Sequence, residues 1–245
     1  TRFDFGHSLY YNKPVGNVIA ERLPPTILLA LVCHILASLL GIGLGIIAAT
    51  RQYSWVDTLL GIISFLGMTI PRFLFAIIIM YVLVFRIGVN EIGSFNSAYW
   101  GGQPWGWGRF VDLVAHVWPV VFIATFGGLA YNMRVMRANL LDVLNSQYVE
   151  TARAKGLPEG AVIMRHAVPN ALPPVIQGFA MATRMVLGGA LIVEVVFSYP
   201  GIGSALNAAI ETRDIPVVQA IALLTAIAVV FINLVADFAT VLLTP

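Results

Sequence analysis

Apolar and polar positions along the chain separate into five long hydrophobic runs, at about 24–50, 58–85, 119–136, 175–198 and 216–243. A helix rising 1.5 Å per residue needs about 20 apolar residues to cross the hydrocarbon of a bilayer. Four of the runs meet that length. The third is shorter and is expected to continue as helix past Arg134 and Arg137 to Leu144. The pattern predicts an all-α polytopic membrane protein with five spans.

The polar stretches between the runs have distinct characters. Residues 1–23 mix charges with turn formers, and a short surface helix is expected over Val15–Arg22. Pro24 and Pro25 then suit the first turn of the first span, where a missing N–H costs nothing. Gly41, Gly43 and Gly45 lie in apolar surroundings with no strand before them, which favours close helix packing over a dinucleotide loop. The second run carries Pro71-Arg72 near its middle. Either Arg72 lines a pathway, or the helix breaks near Thr69 and leaves Arg72 closer to an interface. Residues 86–117 gather Trp100, Trp105 and Trp107 into a loop suited to a membrane surface. The fourth run holds Arg184 and Glu194 and ends in the turn sequence Ser198 to Gly203. A second external loop is expected over 199–215, with an amphipathic stretch from Ser204 to Thr212.

Composition agrees with this reading. The chain is 59% hydrophobic and 11% charged, with a mean hydropathy of +0.87. No soluble core of 245 residues could hide so much apolar surface. A net charge of +2 is too small to point to nucleic acid. The single cysteine, Cys33, excludes an internal disulfide, and His34 has no second ligand at metal spacing beside it, so no metal site is expected. Cations divide evenly between the two faces. Only their density between Arg134 and Arg165 places the segment that follows the third span on the inner side.

That segment, about 145–174, is an island of charge between apolar runs. It reads as two short helices, Tyr148 to Lys155 and Pro158 to about Ala167, with Gly156 after the first and Pro169 ending the second. Tyr148, Ala152 and Gly156 are spaced by four, which predicts one face with an aromatic and two small residues. Arg153 and Lys155 flank that face as polar contacts at its rim. Glu150-Thr151-Ala152, then Gly156, then His166-Ala167-Val168-Pro169 resembles the EAA loop of ABC importer permeases: a glutamate, a glycine six residues on and a closing proline stand in register. Thr151 replaces an alanine, His166 stands where isoleucine is usual, and Val168 stands for leucine. The wording YVETARAKGL and RHAVPNAL is similar to the dipeptide, oligopeptide and nickel branch. So are Arg22-Leu23-Pro24-Pro25-Thr26 and EVVFSYPGIG from Glu194. The resemblance covers essentially the whole chain.

The resemblance implies a type I ABC importer permease in the bacterial cytoplasmic membrane. Tyr148, Glu150, Thr151, Ala152, Arg153, Lys155, Gly156 and Pro169 then form the element that couples to the ATPase. The partners implied are a second homologous permease chain, two ATPase subunits carrying ATP and Mg, an extracytoplasmic substrate-binding protein and membrane lipid. The chain holds no G-x-x-x-x-G-K-[ST], so no cofactor of its own is expected and it is not itself an enzyme. Relatives commonly have six spans, and the five seen here predict that an N-terminal helix is absent from this sequence. Arg72, Arg184 and Glu194 are candidates for the substrate path, although Glu194 is better suited to holding the turn that follows it. An ion-driven carrier or channel is the competing class, and a non-transporting scaffold a third. Neither inverted repeats nor paired mid-membrane charges favour the carrier.

Overall fold

The computed structural model describes residues 5–89, 106–178 and 192–243. In chain order a two-residue hairpin, β1 (His7–Ser8) and β2 (Lys13–Pro14), is followed by helices α1 (Val15–Thr50), α2 (Trp55–Thr69) and α3 (Arg72–Tyr81). A wider π-helical turn, Val82–Ile87, extends α3. Then come α4 (Trp107–Leu144), α5 (Gln147–Ala154), α6 (Glu159–Ala161), a second π-helical turn Val162–Ala167, α7 (Val168–Ala171), α8 (Ile202–Glu211) and α9 (Ile215–Leu243). Residues 173–178 and 192–196 are also helical.

Among the described residues three helices are long and apolar enough to cross a membrane: Val15–Thr50, Trp107–Leu144 and Ile215–Val235. The broken pair Trp55–Thr69 and Arg72–Ile87 makes a fourth if counted as one span. The expected run 175–198 lies largely outside the described residues, and Arg184 lies there too.

Two boundaries differ from the expectation. Pro24 and Pro25 do not open a span, because the surface helix and the first span are one continuous helix. Likewise α4 starts at Trp107 and runs through Pro119. Each proline costs one backbone hydrogen bond, and burial of the surrounding apolar residues outweighs that local loss. The second run, by contrast, does break. Ile70 and Pro71 are both extended, with ψ of 123° and 133°, and Arg72 becomes the first residue of α3.

The chain divides into two compact units. The first comprises residues 1–33, 71–124 and 185–229. One of its cores packs Leu29, Cys33, Ala76, Val120, Val193 and Phe197, and a second joins Val15 and Ile19 to Ile202, Ala205, Ala209 and Val217. Helix α8 thus buries the Ile202, Ala205 and Ala209 face that its helical spacing predicts. Asp214 fastens the hairpin to the start of α9 by accepting bonds from the Ser8 hydroxyl and the Tyr10 amide.

The second unit comprises residues 34–70, 125–184 and 230–245. Here α1 and α4 approach at backbone distance. A Cβ at Gly41 would stand 2.7 Å from that of Asn132, and one at Gly45 would stand 2.7 Å from that of Met136. The two glycines are four apart and share a face, whereas a Cβ at Gly43 would meet open space.

Candidate functional site

The polar insert grows directly out of α4. Ser146, in an extended conformation, separates the end of α4 from α5, and its carbonyl accepts from the amides of Val149 and Glu150. Helix α5 is amphipathic. Val149 and Ala152 are buried, while Tyr148, Glu150, Thr151, Arg153 and Lys155 are exposed. The buried pair enters a core formed with Ala49 of α1, Met136 and Leu140 of α4, and Val162, Ala167 and Ala171.

Gly156 closes the helix with φ of +80°, its amide bonding the carbonyl of Arg153 at 2.9 Å. A side chain there would meet nothing of this chain. The glycine is required by its left-handed backbone, a conformation costing other residues about 1–2 kcal/mol. Arg153 does not reach outward. Its guanidinium grips Glu159 across the break, with Nε 3.1 Å from Oε2 and Nη2 2.8 Å from Oε1.

Pro169 does not end the second helix; it is exposed near the start of α7, and the helix continues to Ala171. The π-helical turn before it displaces the usual hydrogen-bond register. The Asn170 side chain donates to the carbonyl of His166 at 2.7 Å. The outer surface of the insert carries exposed Tyr148, Leu157 and Met164.

Arg137 makes a bidentate pair with Asp57, Nε to Oδ1 at 2.6 Å and Nη2 to Oδ2 at 2.7 Å. Asp57 also accepts from the Tyr53 amide at 3.0 Å, and its own amide is capped by Ser54.

In the first unit Glu194 is completely buried. The hydroxyl of Thr26 donates to its Oε1 at 2.7 Å and the Gly203 amide donates to its Oε2 at 2.6 Å. Thr26 in turn accepts from the Ile202 amide at 2.8 Å, and the Tyr199 hydroxyl donates to the Pro25 carbonyl at 3.0 Å. The carboxylate therefore ties α1, the turn 197–201 and the start of α8 together. Arg72 is half-buried at the start of α3.

Residues 41–245 match the family of binding-protein-dependent transport system inner membrane components. The chain belongs to this family.

Its relatives include the oligopeptide transport system permease protein AppB of Bacillus subtilis, 35% identical over 99% of this chain and 75% of that protein. A putative peptide permease protein of Brucella suis is 34% identical over 99% of the chain and 74% of its own length. The fold is shared with the inward-facing methionine ABC transporter MetNI, with a TM-score of 0.72 at 15% identity, covering 93% of this chain and 97% of that one. It is shared also with an amino acid ABC transporter, with a TM-score of 0.66 at 12% identity over 92% and 94% of the two chains. As an inner membrane component this permease is a multi-pass protein and not the ATPase of its system.

Within the permease, the residues singled out in the insert fall into two groups. Tyr148, Glu150, Thr151, Lys155, Gly156 and Pro169 face outward. Ala152 is sealed inside, and Arg153 is spent on Glu159. Spacing alone gave no sign of the Arg153–Glu159 tie, although an arginine six residues before a glutamate across a Gly-Leu-Pro break was the available signal. Arg153 holds the Glu159 carboxyl below its usual range. The tie is therefore fully present above the unfolded carboxylate pKa and lost as pH falls through the depressed one. Amide protection factors at 155–160, with the intrinsic pH dependence of exchange divided out, are expected to fall in acidic buffer in the native protein and to be already low, with little further pH response, in Glu159→Gln.

Proposed function

We propose that this permease, paired with a second permease chain, forms the path by which peptides or similar small solutes enter the cell, crossing the membrane five times in the present sequence. An extracytoplasmic binding protein delivers the solute. Two ATPase subunits, holding ATP and Mg, drive the cycle by docking on the insert 145–174. The observation that carries the coupling role is the two-sidedness of the insert. Val149, Ala152 and Val162 are buried in the permease, while Tyr148, Leu157 and Met164 present an apolar surface outward. An apolar surface flanked by charges on a polar loop suits a protein partner. The peptide substrate class rests on the relatives' names and on their identity over nearly the whole chain.

The test is at Gly156. Asparagine tolerates the left-handed backbone and adds a side chain, whereas alanine adds little bulk but strains the backbone. Gly156→Asn is expected to insert normally, to recover less ATPase in a mild-detergent pull-down, and to lose most peptide uptake. Full ATPase recovery and uptake by this variant would contradict docking at this surface. Met164→Asp is expected to weaken recovery similarly.

A further inference from the structure

The turn between α1 and α2 presents two aromatic rings that this chain leaves uncovered. Tyr53 is 88% exposed and Trp55 76%. Tyr53 also stands at φ of +63°, on a left-handed backbone that glycine or asparagine adopts more readily than tyrosine. The turn is nevertheless firmly held. The Tyr53 amide donates to Asp57 at 3.0 Å, the Ser54 amide donates to the Arg51 carbonyl at 3.0 Å, and Arg137 of α4 grips the same Asp57 carboxylate. A strained residue fixed in place with its side chain outward implies a contact beyond this chain.

Helix α2 indicates the nature of that contact. Leu59, Ile62 and Leu66 follow Trp55 at steps of four, three and four, so the four side chains share one exposed face. The opposite face, with Asp57, Leu60 and Ser64, is buried. The two differ in composition. Toward α4, the Ser64 hydroxyl donates to the Ala130 carbonyl at 2.9 Å, and a Cβ at Gly67 would stand 2.7 Å from that of Ala130. Small and polar residues of this kind are what helices pack with inside a membrane. The exposed stripe consists only of bulky apolar side chains headed by a tryptophan, the composition of a surface against acyl chains with its ring at the headgroup boundary. Because α2 is half of a pair apolar enough to cross the membrane, a water-soluble partner could not follow the stripe along it. Arg51, exposed in the same turn, adds a cation suited to lipid phosphates.

We infer that this turn and stripe form a membrane anchor. Tyr53 and Trp55 sit among lipid headgroups, Arg51 meets the phosphates, and Leu59, Ile62 and Leu66 lie against acyl chains. Since Asp57 and Arg137 tie the turn to α4, the anchor sets the depth of the helix end from which the insert grows.

Spin labelling of the complete transporter in vesicles of phosphatidylglycerol and phosphatidylcholine provides the test, with the signal of the unsubstituted complex subtracted. Labels are placed on Tyr53→Cys, Leu59→Cys and Leu66→Cys. Collision with oxygen, which concentrates among acyl chains, is expected to rise from 53 to 66, and collision with a water-soluble nickel chelate to fall. Low accessibility to both reagents at 59 and 66 would show a protein chain covering the face, and high chelate accessibility there would show water. Either result overturns the inference. Tyr53→Asn keeps the left-handed turn and deletes the ring. Combined with Trp55→Ala, it is expected to shift the label at Leu59→Cys toward water while the complex in detergent keeps its unfolding temperature. Tyr53→Phe with Trp55→Tyr is expected to hold the native depth. An unchanged depth in the Asn and Ala pair, or a lowered unfolding temperature in detergent, would overturn the anchor. Should that pair fail to assemble, the profile of the three labels still decides.

Discussion

Replacing Gly201 with alanine is expected to lower the permease's stability by about 3–5 kcal/mol, as the sum of a buried clash and lost hydrogen bonds. A Cβ at this position would be driven into the carboxylate of Glu194. That carboxylate cannot retreat, since it is fully buried and held by Thr26 and Gly203. Either the turn shifts or Glu194 leaves its donors, and each abandoned buried donor costs about 1–3 kcal/mol. Thermal unfolding of the purified transporter, followed by loss of monodisperse protein, would show the effect. Glu194→Gln keeps the volume but turns one acceptor into a donor facing a donor, so a smaller loss of about 1–3 kcal/mol is expected. The discriminating result is the double variant Gly201→Ala with Glu194→Ala. If the collision is the cause, the pair is less damaging than the sum of the singles. Additive losses would refute that account.

Asp57→Ala is the second large effect. Removing one member of a buried pair strands the other charge, at about 3–5 kcal/mol when both are fully enclosed. The Arg137 side chain is 32% exposed and Asp57 8%, so water recovers part of that and about 2 kcal/mol is expected. The Tyr53 amide also loses its acceptor. Asp57→Asn keeps one acceptor and should cost less, while Asp57→Leu with Arg137→Leu removes both charges and should lie closer to the native protein than either single change. Denaturant titration of the detergent-solubilised complex separates these cases. A single Asp57→Ala substitution with native stability would show the pair to be dispensable.

What could be read from the chain beforehand, and what could not, divides along the range of the interactions. The apolar runs, the weak point at Thr69 and Pro71, the glycine end of α5 and the turn after Glu194 all depend on residues close in sequence. Among the described residues the structure carries three of the apolar runs, or four with the broken pair counted as one span, and each of the other features. The register of Glu150, Ala152, Gly156 and Pro169 was enough to identify the family.

Misreadings arose where distant contacts decide. Pro24, Pro25 and Pro119 looked like boundaries, yet packing in the first unit carries the helices through them. The partner of Arg137 stands 80 positions away and leaves no local trace. A spacing of four puts Tyr148, Ala152 and Gly156 on one face of an unbroken helix, but α5 is only eight residues long and ends at Ala154. Gly156 lies beyond it on a left-handed backbone, where helical spacing no longer means a shared face. Ala152 instead lies three residues from Val149, and the two are buried together.

The burial of Val149 and Ala152 in the same core as Ala49, Met136 and Leu140 has a mechanical consequence. Close-packed interiors are barely compressible and transmit strain. A load applied to the outer surface of α5 is therefore taken up at once by the ends of α1 and α4, with no slack to absorb it. Between α5 and α6 the chain turns at Gly156 and is bridged by an exposed ion pair, Arg153–Glu159. The insert thus combines a rigid lever with a compliant tip, so that force entering through α5 becomes displacement of the long helices, while force entering through Leu157 dissipates in the bend.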